Sequence, residues 1–137
     1  MTTKTDEGSA VLETVLLAPL LILLLAAVIG GARVTLAHQR VDSAASQAAR
    51  AAATATSTTQ ATAIARTAAQ AFMANHGLDC RTMGVAVETA DFHPGGSVTV
   101  RVSCRADLGV GVPGLSGIRT ITGKSVEVID TYRQVSP

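Results

Sequence analysis

Between Glu13 and Arg33 the chain runs for nineteen residues without a formal charge, and Leu20–Leu25 within that run is apolar on every side. As a helix the run would measure about 28 Å, close to the hydrocarbon core of a bilayer at about 30 Å. A helix with no polar face has to be covered by lipid or protein. Pro19 interrupts the run. A helix beginning there would leave only about 21 Å before Arg33, too short to span. The helix is therefore expected to start before Pro19 and to carry a kink there, which spanning helices tolerate. Gly30-Gly31 adds a soft joint at its far end.

Three readings of this segment remain open. It can be a secretory signal peptide cut after a small residue such as Ala37, although Lys4 is outweighed at its start by Asp6 and Glu7. It can be a plain signal anchor. It can also be a prepilin-type segment, cut before the apolar run so that the helix is kept. The basic residues give no support to an outside C-terminal part: Lys4 precedes the span while Arg33 and Arg40 follow it, a weak bias toward the opposite orientation. The two cysteines, Cys80 and Cys104, weigh more. A pair in a small exported domain reads as a disulfide and puts the C-terminal part outside the reducing cytosol.

The third reading accounts for Gly8 and Glu13 together. A cut after Gly8 makes Ser9 a free amine and Glu13 the fifth residue of the mature chain. In staggered, side-by-side helices, one subunit's carboxylate can then meet the next one's ammonium. Unpaired at the bilayer centre, a charge costs about 2.5–3.5 kcal/mol on insertion scales, and less near the interface. The plainer reading makes Glu13 a headgroup-boundary residue and Gly8 a flexible lead-in.

The stretch "DEGSAVLETVLLAPLLILLLAAVIGGARV" resembles the N-terminal segment of TadE-like proteins, minor pilins or pseudopilins of the tight-adherence (Tad/Flp) type IV pilus system. Gly8, Ser9, Ala10, Glu13, Pro19 and Leu20–Leu25 follow that family's pattern in order. Thr14 stands where the family often has an aromatic, and Gly30-Gly31 where it often has an acidic residue. The resemblance implies cleavage at Gly8–Ser9 by a prepilin peptidase. It also implies an assembly contact at Glu13, a helix kink at Pro19, and other pilin subunits and the pilus assembly machinery as partners.

Beyond the span, no proline and no glycine occurs from Arg33 to Asn75, and alanine dominates. Alanine is the best helix former. Val41, Ala45, Ala48 and Ala52 make a stripe of small side chains suited to close packing in a helix bundle, or else lie on a solvated stalk. One helix from Ser9 to Asn75 would be about 100 Å long. A break or bend is therefore expected near residues 54–62, where threonine and serine weaken helix. In the following piece Ile64, Ala68 and Phe72 mark the expected inner face, and Gly77 is the expected residue just past its end.

The last sixty or so residues read as strands. Gly84–Thr89 and Ser97–Cys104 alternate apolar and polar residues about a His93–Gly96 turn, a hairpin. Lys124–Arg133 reads as a third strand with Val126 and Val128 in the alternating pattern, and Ile118–Thr122 as a short fourth. With a turn near residue 94, Cys104 should face residues 83–85. The chain must then curl at Asp79–Thr82 for Cys80 to reach it. Leu108–Gly117 is a glycine-rich connection and not a phosphate loop, since no Gly-Lys-Ser/Thr follows.

The fold class expected is thus α+β and pilin-like: a leader at 1–8, a transmembrane and assembly helix at 9–33, a helical stalk at 34–76, and a three- or four-stranded antiparallel domain at 77–137. A net charge of +1 and 2% aromatic residues give no footing for nucleic acid. His38, His76 and His93 fall in three separate elements, and no catalytic set or metal-ligand spacing stands out. No cofactor and no enzymatic activity are expected. The expected location is the cytoplasmic membrane, single-pass with the C-terminal domain outside, and from there a surface pilus. The other reading kept is an anchored extracytoplasmic binding module that joins no filament.

Overall fold

In a computed structural model of the chain, residues 6–76, 78–109 and 117–132 are described, with side chains from Glu13 onward. Two helices and three strands follow one another: α1 (Asp6–Ala53), α2 (Thr58–Asn75), β1 (Cys80–Glu88), β2 (Ser97–Asp107) and β3 (Ile118–Val128). At 48 residues α1 is about 72 Å long, and it passes through Pro19 without a break. Pro19 has no N–H to give to the carbonyl of Val15.

The expected break falls at residues 54–57. Thr54 closes α1, its N–H and hydroxyl both donating to the carbonyl of Ala51 at 3.2 and 2.7 Å. Ser57 then opens α2 as its N-cap, its hydroxyl accepting from the N–H of Gln60 at 3.3 Å. Gln60 reaches back to accept from the N–H and hydroxyl of Thr56 at 2.9 and 2.8 Å. The hydroxyl cluster therefore does more than weaken helix: it ends one helix and starts another.

Beyond the break the chain doubles back. α1 packs against α2 and against β2 and β3, and α2 also touches β1. The stripe of Val41, Ala45, Ala48 and Ala52 is fully buried by these contacts, with Ala44 and Ala49 beside it. It is the domain's own core, not a bundle face or a solvated surface. On α2 the buried line is Ala61, Ala65, Ala69 and Met73. Ile64, Ala68 and Phe72, the expected inner face, sit one position round the helix and are half-buried. Three of the four buried positions are alanines, which let α2 lie close to its neighbours, and Met73 closes the line. Gly77 lies outside the described residues. His76 ends α2, its N–H donating to the carbonyl of Phe72 at 3.1 Å.

The sheet has the order β1-β2-β3, antiparallel throughout. Val85 pairs with Val102 and Val87 with Val100, so the expected hairpin is present with its valines on the helix side. The third and fourth strands expected from the sequence are one strand running through Gly123 and ending at Val128. In its pleat Ile121 and Gly123 are buried, while Val126 and Val128 face outward at 52% and 71% exposure. Gly123 does not interrupt the strand because the backbone of α1 fills the space a side chain would take. A Cβ there would stand 2.7 Å from the carbonyl oxygen of Val41. Four residues further along the strand, Glu127 accepts from the Arg50 guanidinium of α1 at 3.1 Å.

The β1–β2 turn is organised by Asp91. Its carboxylate accepts from the N–H of Ser97 at 3.1 Å and stands 2.8 Å from Nε2 of His93. Gly95 has a positive φ of 79°, which glycine alone adopts freely. The carbonyl of Pro94, 3.1 Å from Nδ1, and the Asp91 carboxylate hold the His93 pKa above its ordinary value of 6.5. A pKa raised by folding stabilises the fold below the unfolded value. The contribution of this pair is thus complete below pH 6.5 and is lost as pH rises through the raised value. An NMR titration is expected to place the His93 midpoint above 6.5, with Asp91→Asn lowering it only part of the way. A midpoint at or below the ordinary value would refute this.

Candidate membrane and assembly helix

The domain covers α1 only from Ala37 onward. Before it, every large apolar side chain from Val15 to Ile29 is between 46% and 70% exposed. This segment is long and apolar enough to cross a membrane, and none of its apolar window is buried by the chain itself. A core helix of a soluble protein would be covered, and exposed apolar patches of this extent mark membrane or protein contact. The outcome follows from side-chain size. Residues 20–25 are all leucine or isoleucine and cannot enter a close-packed alanine layer, whereas residues 44–52 can.

Gly8 and Ser9 lie in the opening turns of α1, which begins at Asp6. Glu13 follows one turn after Ser9 and is exposed. Glu13 therefore stands at the entrance to the apolar surface, two turns into α1.

At the other end of the chain the cysteines are bonded, Cys80 to Cys104, with their Cα atoms 5.3 Å apart. Cys104 faces Met83 and not Cys80, in the register the turn position requires. A bulge between Cys80 and Thr82 inserts one residue and reverses the pleat. Arg81 and Thr82 both turn outward as a result, and Cys80 joins Met83 on the inner side with Cys104. The curl expected at Asp79–Thr82 is this bulge.

Among the described residues, no group of three or more His, Cys, Asp or Glu could hold a metal ion. The pair sequence reasoning missed is His93 with Asp91, two positions apart in a turn. Its signal was the Asp-x-His-Pro-Gly-Gly string, a turn sequence with its own hydrogen-bonding side chain.

A long helix, half bare and half buried in a small disulfide-tied sheet domain, defines an α+β protein with a candidate membrane anchor. Residues 8–50 match the family model for TadE-like proteins. No curated protein and no solved structure matches it. The matched segment takes in Gly8, Glu13, the bare helix and most of the buried part of α1.

Proposed function

We propose that this chain is a structural minor pilin or pseudopilin of a Tad-type pilus, trimmed by a prepilin peptidase between Gly8 and Ser9. It sits in the cytoplasmic membrane through α1, with the sheet domain on the oxidising side. The observation that carries this reading is the bare apolar surface from Val15 to Ile29, continuous with a domain that holds a disulfide. A plain anchor needs the apolar surface but gives Gly8 and Glu13 no work. A signal peptide cut after Ala37 would divide α1 where Ala37 is itself buried at 2% exposure.

The assembly contact is between Glu13 of one subunit and the Ser9 amine of another, in the same apolar layer. Its carboxylate has no charged partner among the described residues. The mass of the chain extracted from membranes is expected to lack residues 1–8. An intact start supports the anchored binding module instead, and a start near Gln39 supports a signal peptide. Glu13→Ala is expected to leave membrane insertion unchanged. It should lower filament or complex assembly about tenfold or more, since an uncompensated intramembrane charge is worth kilocalories. Unchanged assembly in that variant would rule out the pairing.

A further inference from the structure

Where α1 enters the domain, a cleft of about 210 Å³ opens between Arg33, Leu36 and Arg40 on the helix and Leu78, Asp107 and Leu108 on the sheet side. Arg33 is the first charge after the apolar run, so this cleft lies at the level of the headgroups when α1 spans a bilayer. The sheet presents the same end to the membrane. Ala106 pairs with both Cys80 and Arg119, which sets Arg119 at the strand end on the helix-facing side, while Arg81 and Arg105 stand at the same strand ends on the outward side.

Five arginines thus stand at this end of the domain, Arg33 and Arg40 lining the cleft itself, and the acids nearest them in the chain are Asp42, Asp79 and Asp107. Asp107 is already engaged: one carboxylate oxygen lies 3.7 Å from Arg81, and the other accepts from the N–H of Gly109 at 3.0 Å. Among the described residues no carboxylate is within ion-pair distance of Arg33, Arg40, Arg105 or Arg119. The opposite end of the sheet differs. There Glu127 and Glu88 are paired with Arg50 and Arg101 at 3.1 Å, and Asp91 with His93.

We propose that this base is a binding surface for the headgroups of anionic phospholipids in the bilayer that α1 spans. The proposal rests on the anchored topology above. Arginines just outside a span run against the charge bias that orients helices, and phosphate at that level gives them a partner. Guanidinium groups take phosphate oxygens in pairs. The walls of Leu36, Leu78 and Leu108 suit the glycerol and upper acyl carbons beside a headgroup. Docking would hold the domain upright on the membrane before assembly.

The test uses the full chain reconstituted into phosphatidylcholine vesicles with and without phosphatidylglycerol, read by amide hydrogen exchange. Exchange over residues 78–81 and 106–109 is expected to slow about fivefold or more with phosphatidylglycerol, from the attraction of a few basic side chains to an anionic surface. High salt should reverse the effect. The Arg33→Gln/Arg40→Gln variant should lose it while exchange at Val98–Val102 stays as slow as before, which shows that the domain is still folded. Equal exchange in the two lipids overturns the proposal. So does equal slowing by inorganic phosphate in detergent, which means a free-anion site. Slowing that grows with protein density in either lipid overturns it too, and means contact with a second copy. Vesicles that fail to retain the chain at all overturn the anchored topology and this proposal with it, whereas retention without lipid dependence overturns the proposal alone.

Discussion

Reducing the Cys80–Cys104 bond in the full-length, detergent-held protein is expected to lower the melting temperature of the sheet domain by roughly 10–20 °C. The bond joins residues 24 apart, and closing a loop of that size stabilises by about 3 kcal/mol in the chain-entropy account. Such a sum matters more here than in a domain with a bulky core. Of the twenty buried apolar residues described, eleven are alanine, so each removes little apolar area from water. The bond also ties down β1, an edge strand paired on one side only, with β2, and touched by α2. Thermal unfolding followed by circular dichroism, with and without reductant, checks this. The Cys80→Ala/Cys104→Ala pair should behave like the reduced protein. A drop of less than about 3 °C would mean that the alanine layer holds the domain by itself.

Placing a side chain at Gly123 is the second large effect. A Cβ at this position would meet the Val41 carbonyl oxygen and Oδ1 of Asp42 at 2.7 Å. The first of these is helix backbone and cannot rotate away, so α1 would have to lift from β3. Overpacking of a close-packed core costs about 1–3 kcal/mol, occasionally more, and Gly123→Val should exceed Gly123→Ala. In a domain of this size each kilocalorie moves the melting temperature by roughly 4–8 °C. Gly31→Ala is the control. No atom lies within 4 Å of a Cβ there, and alanine favours helix over glycine by about 0.5–1 kcal/mol. Its domain melting temperature should match that of the unchanged protein. If Gly123→Ala matches it as well, α1 does not lie as close to the sheet as the structure places it.

These two positions show where the reading of the chain stopped. The cysteines are legible as a pair, and the register from the His93–Gly96 turn puts Cys104 opposite residues 83–85, where the structure pairs it with Met83. That register also requires a curl at Asp79–Thr82, which the structure makes as a bulge; its form is not legible, because one extra residue in a strand leaves no mark on so short an alternating pattern. Gly123 looked like a boundary between two strands because glycine is poor in a strand interior. It is tolerated there by a contact with Val41, more than eighty residues earlier in the chain. The face of α2 was misplaced by one position for a related reason. Periodicity favours the largest apolar side chains, Ile64 and Phe72, whereas packing selected Ala61, Ala65 and Ala69.

The sequence by itself determined the elements that depend on local chemistry. A run of nineteen uncharged residues has to be a helix that something apolar covers, and a threonine- and serine-rich string at 54–62 has to interrupt an alanine-rich one. Alternating valines have to form a hairpin about a proline–glycine turn. Only the tertiary structure decided that α1 is two things end to end, a bare leucine rod and a buried alanine rib. That division depends on how closely a sheet and a second helix can approach the backbone, a property of the partners and not of the helix. The same approach gathers at one end of the domain arginines that lie far apart in the chain, which no local pattern could disclose.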